Sequence, residues 1–172
     1  SGVMFSIDTE TGFDRVVLID AAWGLGETVV QGMVDPDSYQ VFKPFLDDET
    51  LRPIIEKKMG AKARKMIYAK SGKATTRLVD TARKDRMRFV LSDDEIVRLA
   101  RWARDIEAHY GCPMDMEWAK DGETDDLYIV QARPETVQSR KEAGSLKTYR
   151  VTDKGKTLVT GLAIGAAVVD GT

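Results

Sequence analysis

The sequence has few of the residues and patterns that mark secreted or membrane proteins. Its 172 residues include one cysteine, so no internal disulfide can form. Neither a signal-peptide pattern nor an apolar run of about 18 residues occurs, which predicts a reduced, cytoplasmic location and no membrane partner. The net charge is only −2, so no global field attracts nucleic acid. With 42% hydrophobic and 31% charged residues, the chain suits one globular domain.

Both ends of the chain lack the features of natural termini. The first residues run directly into an apolar segment at 3–7, and the apolar, Gly-punctuated segment 157–169 stops at a turn signal, Asp170-Gly171-Thr172. We expect a fragment of a longer protein. The alternative is a complete small protein with frayed termini.

Hydrophobic periodicity predicts an α+β fold in which antiparallel hairpins pack with two main helices. In chain order, the predicted elements are a strand hairpin at 3–7 and 16–21, a Gly-rich turn at 23–32, a strand at 39–42, a helix at 47–59, a second hairpin at 65–68 and 75–79, a helix at 92–110 and a third hairpin at 113–119 and 126–133.

The helix at 92–110 has the clearest signals. Ser92 and Glu95 have capping-box spacing, an apolar stripe extends from Ile96 to Tyr110 at helical period, and Gly111 ends the helix. His109, the only histidine, lies near its end. Because no nucleophile or ligand signal accompanies it, we predict a structural role for this histidine.

The segment from Lys62 to Arg88 is strongly basic. Ten basic residues and two acidic ones give it a local charge of +8. One interpretation is a solvated hairpin balanced by acidic segments elsewhere. The other is a patch that contacts phosphates or docks a partner.

The hairpin at 113–133 carries the clearest pattern of candidate ligand-binding residues. Alternation along its strands places Met116, Trp118, Tyr128, Val130 and Ala132 on an apolar core side, and four polar residues on the other side. A turn centred on Thr124 places Glu117 opposite Gln131 and Asp115 opposite Arg133. The Cβ atoms of facing residues are then about 5 Å apart.

This polar square suits a nucleoside triphosphate. The Glu117 carboxylate and the Gln131 amide oxygen are hard donors for Mg²⁺, which bridges phosphates. Arg133 offers a cation for charge that develops on phosphate. The alternative is an exposed cross-strand ladder in which Asp115 and Arg133 form a surface salt bridge of little energetic value.

Three blocks of the sequence, in this order, resemble the phosphoenolpyruvate synthase (pyruvate, water dikinase) family. The last block is shared with pyruvate phosphate dikinases and with antibiotic or glucan phosphotransferases that have the same ATP-grasp nucleotide domain. The blocks are SGVMFSIDTETGF at 1–13, WGLGE with VVQG at 23–32, and DMEWA at 115–119 with IVQARPET at 129–136.

The resemblance implies a function and roles for individual residues. In the family, Mg-ATP donates its β,γ-phosphoryl groups to a histidine on a swivelling domain, AMP leaves, hydrolysis leaves a phosphohistidine, and pyruvate receives that phosphoryl group. The match implies Glu117 and Gln131 as Mg-ATP ligands, Asp115 as a supporting carboxylate and Arg133 as the catalytic cation facing phosphate. Glu27, in the Gly-rich turn, is a weaker nucleotide-binding candidate, and a plain turn glutamate is the alternative.

The resemblance also predicts how the chain is divided. Residues 1–150 correspond to the C-terminal portion of an ATP-grasp-like nucleotide domain, and 151–172 to a linker and the start of the swivelling domain. The family's phosphoryl-accepting histidine follows a threonine and a cysteine, whereas Ala108 and Tyr110 flank His109. We therefore expect the isolated chain to be inactive and to depend on the other domains of the parent protein. A homo-oligomer is left open.

Overall fold

The structure is a computed structural model that describes residues 1–69 and 75–136. One long helix and eight strands dominate this part of the chain, together with three short helical turns. The elements are β1 Gly2–Phe5, β2 Val16–Ala21, α1 Glu27–Val30, β3 Asp37–Phe42, a 3-10 helix at Lys43–Phe45, β4 Ile54–Lys58, β5 Arg64–Tyr68, β6 Thr76–Asp80, α2 Arg83–Arg86, α3 Asp93–Tyr110, β7 Met114–Lys120 and β8 Leu127–Pro134.

The strands form two antiparallel sheets. Six of them make one sheet in the order β4-β3-β2-β1-β7-β8, and β5 and β6 form a second, two-stranded sheet. Strands and helices both contribute, so the predicted α+β class and the three predicted hairpins are confirmed. The prediction for 151–172 lies outside the described residues.

Helix α3 covers one face of the six-stranded sheet. Ser92 and Glu95 form the predicted capping box, and Gly111 ends the helix with a φ of 71°. Ile96, Leu99, Ala100 and Ala103 are buried against the sheet, whereas Tyr110, predicted in the same stripe, is exposed. The core therefore lies between α3 and this face of the sheet.

We call the covered side of the sheet the core face and the opposite side the open face. Side chains alternate between the two because successive residues of a strand point in opposite directions. The core face carries Met4, Ile19, Tyr39, Met116 and Trp118, all buried, and the open face carries Val3, Asp20, Ser38, Asp115 and Glu117.

The helix predicted at 47–59 is wrong, and with it the prediction of two main helices. The segment contains turns and the edge strand β4, which pairs with β3. Two β-branched residues, Ile54 and Ile55, favour an extended strand, and Pro53 immediately before them lacks the N–H that a helix interior needs. The charged residues that follow, Glu56 to Lys58, are typical of a solvent-exposed edge strand.

The predicted core side of β8 is also wrong in part. Tyr128 is 53% exposed and Val130 63% exposed. A β-bulge shifts the register after Glu117, so that Trp118 lies opposite Ile129 instead of Val130. As a result Leu127 and Ile129 face the core. Ala132 stays opposite Met116 but is exposed as well.

A buried ion pair joins β3 to the segment that follows β4. The ammonium group of Lys62 donates to the carboxylate of Asp37, and both side chains are fully buried. The backbone N–H groups of Gly60 and Val90 donate to the same carboxylate at 2.9 and 2.8 Å. A buried charge pair with several further hydrogen bonds fixes one arrangement of the segments that meet there.

None of the helices in residues 1–69 and 75–136 has the length and apolar composition needed to cross a membrane.

Candidate functional site

The four polar residues of the β7–β8 hairpin meet on the open face. Strand β7 buries Met114, Met116 and Trp118 against α3, so Asp115 and Glu117 point the other way. The register pairs Asp115 with Arg133 and Glu117 with Gln131, as predicted. The hairpin therefore presents two adjacent polar pairs on the side of the sheet that α3 leaves uncovered.

The Asp115–Arg133 pair is a chelated ion pair. Nε and Nη2 of Arg133 donate to Oδ2 of Asp115 at 2.8 and 2.7 Å. The Asp115 side chain is mostly covered, whereas that of Arg133 is 65% exposed. Hydrogen bonding to Asp115 raises the pKa of the Arg133 guanidinium. Asp115 thus orients a cation whose remaining N–H groups are open to an anionic ligand.

Glu117 and Gln131 provide oxygen donors beside this cation. Glu117 is half-buried, Gln131 is exposed, and the β-bulge directly follows this pair. No cluster of three or more His, Cys, Asp or Glu residues with metal-ligand geometry occurs in the described part of the chain. One carboxylate and one amide fit Mg²⁺, because this ion usually takes one or two carboxylates and fills its other positions with phosphate oxygens and water.

Glu27 lies at the same cavity as Glu117. The cavity has a volume of about 380 Å³, and its lining includes Glu27, Gln31, Glu117 and Val130. Nε2 of Gln31 donates to Oε1 of Glu27 at 3.0 Å, which fixes the position of that carboxylate. The structure thus brings the weaker candidate of the sequence analysis together with the stronger one.

The Gly-rich turn is held in place by close backbone contact. Gly24 has a φ of +83°, and a Cβ at this position would lie 2.3 Å from the carbonyl oxygen of Met66. The next N–H, that of Leu25, donates to the same oxygen at 2.9 Å. Only glycine fits such an approach at positive φ, so Gly24 fixes the turn from which Glu27 reaches the cavity.

Two further polar residues on the open face, Asp20 and Ser38, were missed in the sequence. The register places Ser38 opposite Asp20, Asp20 opposite Val3, and Val3 opposite Glu117. Ser38 Oγ donates to Asp20 Oδ1 at 2.7 Å, and burial raises the pKa of Asp20. A signal was present, since Asp20 is the only polar residue of β2. A carboxylate inside an otherwise apolar strand indicates a special role.

His109 lies on the other side of the sheet. Its ring packs edge-to-face against Tyr110 at 5.0 Å, and it lines a surface groove with Trp102 and Ile106 of α3. It therefore does not join the open-face residues.

Comparison with known proteins identifies the family. The model of the pyruvate phosphate dikinase, AMP/ATP-binding domain matches residues 1–153. Proteins named phosphoenolpyruvate synthase from Synechocystis sp. and Pseudomonas aeruginosa are 55% and 54% identical to 99% and 98% of the chain. The Escherichia coli protein of that name is 51% identical over 96% of it.

The chain spans only about a fifth of the length of these relatives, 22%, 21% and 21% respectively. The family model, in contrast, covers most of the chain, including all four residues of the polar square and Glu27. The chain therefore belongs to the pyruvate phosphate dikinase AMP/ATP-binding domain family.

Proposed function

We propose that this chain forms part of the Mg-ATP site of a phosphoenolpyruvate synthase. The full-length protein converts ATP, pyruvate and water to AMP, phosphoenolpyruvate and phosphate through a phosphohistidine. Three relatives with this name are 51 to 55% identical to the chain, and the matching family model describes an AMP/ATP-binding domain. The proposal includes a cytoplasmic location, which the single cysteine favours.

The proposed domain is ATP-grasp-like, and this chain supplies its C-terminal portion with residues 1–150. Residues 151–172 would begin the swivelling domain that carries the acceptor histidine. Because His109 lies away from the open face, the phosphoryl acceptor must come from another part of the full-length protein. The chain alone is therefore expected to bind nucleotide weakly and to lack activity.

Each residue of the site has a proposed role. Glu117 and Gln131 would hold Mg²⁺, which neutralises phosphate charge when bound. Arg133 donates hydrogen bonds to the phosphoryl group as its charge changes, and Asp115 keeps the guanidinium in place. Glu27 faces the cavity beside Glu117, where a second carboxylate can accept hydrogen bonds from water bound to the metal.

One observation carries the proposal. The two pairs Glu117–Gln131 and Asp115–Arg133 are adjacent on one face, and helix α3 covers the other. An exposed cross-strand ladder of polar side chains accounts for either pair when that pair is considered alone. It does not explain why two oxygen donors and an oriented cation share the face that α3 leaves open, in a chain whose family is described as an AMP/ATP-binding domain.

The test uses the full-length protein with Glu117→Gln and Gln131→Ala. Glu117→Gln removes the ligand charge without changing side-chain size, and we expect kcat to fall by about 10²-fold or more. The matched control is Glu123→Gln in the exposed loop of the same hairpin, which should leave kcat unchanged. Equal activity of Glu117→Gln and wild type would refute the assigned roles.

Analysis of the reaction products distinguishes the proposed function from the alternative functions. Wild-type enzyme should release AMP, orthophosphate and phosphoenolpyruvate, and it should require pyruvate. Release of pyrophosphate with a requirement for orthophosphate would indicate a pyruvate phosphate dikinase instead. ADP as the only nucleotide product would point to another phosphotransferase, and no turnover together with retained nucleotide binding would indicate a binding module.

A further inference from the structure

A second cavity lies on the open face, across β1 from the polar square. It has a volume of about 370 Å³, and its lining includes Asp20, Ser38 and Gln40 from the central strands and Glu56 from β4. Thr9 and Glu10, in the loop after β1, close one side. None of the roles assigned above uses this cavity.

The carboxylate of Asp20 is the best-placed acid in the cavity. Its Oδ1 accepts the hydrogen bond from Ser38, and its Oδ2 has no partner among the described residues. Burial raises the pKa of Asp20 above that of an ordinary aspartate. A carboxylate with one oriented oxygen, one free oxygen and greater basicity is suited to accept a proton from water.

The spacing between Asp20 and Glu117 fits one water molecule and one phosphoryl group. Asp20 and Glu117 occupy the same row on the same face, with Val3 of β1 between them. Two strand spacings separate their Cα atoms by about 10 Å. A hydrogen bond from Asp20 to water, an attack distance of about 3 Å from that water to phosphorus, and the phosphoryl group itself span a similar length.

The charges lining the cavity favour water over phosphate. Two acids, Asp20 and Glu56, line it together with one cation, Lys58. An orthophosphate dianion entering this space would meet like charge, whereas neutral water would not. The cavity therefore suits a reaction in which water accepts the terminal phosphoryl group.

We infer that Asp20 is the general base that activates water for attack on the terminal phosphorus of the pyrophosphorylated histidine. As the water oxygen bonds to that phosphorus, Oδ2 of Asp20 takes its proton. The bond from the phosphorus to the bridging oxygen breaks, the bridging oxygen stays on the phosphohistidine, and orthophosphate leaves. This inference rests on the proposed function, since it concerns the hydrolytic step of that reaction.

The test is a rapid-quench experiment on the full-length protein and its Asp20→Asn variant. Asparagine keeps the shape and can still accept from Ser38, but it cannot take the proton. We expect the first-turnover burst of AMP to stay within about threefold of wild type, while orthophosphate release slows by about 10²-fold or more. Asp126→Asn, in the exposed loop between β7 and β8, is the matched control and should change neither rate.

The outcomes separate this inference from the proposed function. A retained AMP burst shows that the variant is folded and binds ATP, so slow orthophosphate release then supports Asp20 as the base. Orthophosphate release at the wild-type rate would overturn the inference, and so would an equal fall of both rates. If wild-type enzyme itself forms no AMP or needs orthophosphate, the proposed function fails, whatever the variant does.

Discussion

The core face and the open face of the six-stranded sheet come from alternate residues of the same strands. On β7, Met116 and Trp118 are buried under α3, while their neighbours Asp115 and Glu117 carry the polar site. Adjacent residues therefore divide stability and chemistry between them. Replacing one should affect the free energy of unfolding, and replacing the next should affect nucleotide binding.

The sharpest test of this division compares Trp118→Ala with Val130→Ala. Trp118 is fully buried in the core, so its loss should lower the free energy of unfolding by about 3–5 kcal/mol. Val130 is exposed on the open side of the bulge and should change it by less than about 0.5 kcal/mol. Urea denaturation of the chain measures both, and similar losses would contradict the division into two faces.

A comparable loss in the free energy of unfolding is expected at the buried ion pair on the core face. Asp37 starts β3 on that face, and its carboxylate is buried with Lys62. Lys62→Met keeps the side-chain length but leaves a buried, uncompensated carboxylate, which should cost about 3–5 kcal/mol. The control is Lys57→Met at the exposed pair with Asp93, where about 0–1 kcal/mol is expected. If both variants lose the same free energy of unfolding in urea, burial of the ion pair does not determine the size of the loss.

Sequence patterns predicted the features that local residues specify. The capping box of Ser92 and Glu95 fixes the start of α3. The pairing of Glu117 with Gln131 was also predicted, although the loop pairs Lys120 with Leu127 and it is the β-bulge that adds the residue needed to bring Gln131 opposite Glu117. Strand alternation is likewise a short-range pattern, which is why the sequence was sufficient to place Asp115, Glu117, Gln131 and Arg133 on one side of one hairpin.

Features that depend on distant segments were not predicted. At the bulge Trp118 is buried in the core while Val130 is exposed, and strand β4 pairs with the edge of β3. Asp20 reaches the site only because β2 and β7 both pair with β1. Strand order is a long-range property, and the alternation within one strand does not encode it.

A smaller effect is expected at the helix that creates the core face. Ser92 Oγ accepts the backbone N–H of Glu95 at 3.3 Å, and the Glu95 side chain returns a hydrogen bond to the Ser92 N–H. Ser92→Ala should therefore lower the free energy of unfolding by about 1 kcal/mol, whereas Ser92→Asp should retain most of it. A Ser92→Ala chain as stable as wild type in urea would show that packing alone fixes this end of α3.

The smallest effect concerns Asp20, the half-buried acid of the open face whose pKa is raised. Burial raises the folded-state pKa of Asp20 above 3.8, so the native state binds this proton more tightly than the unfolded chain does. Stability is therefore lost as pH rises from about 3.8 through the folded pKa. Asp20→Asn removes this loss, and its free energy of unfolding should exceed that of wild type near pH 7. The excess should disappear in acid. If the variant is less stable than wild type at neutral pH, burial does not penalise the Asp20 charge. The charged carboxylate on the open face then does not lower the free energy of unfolding.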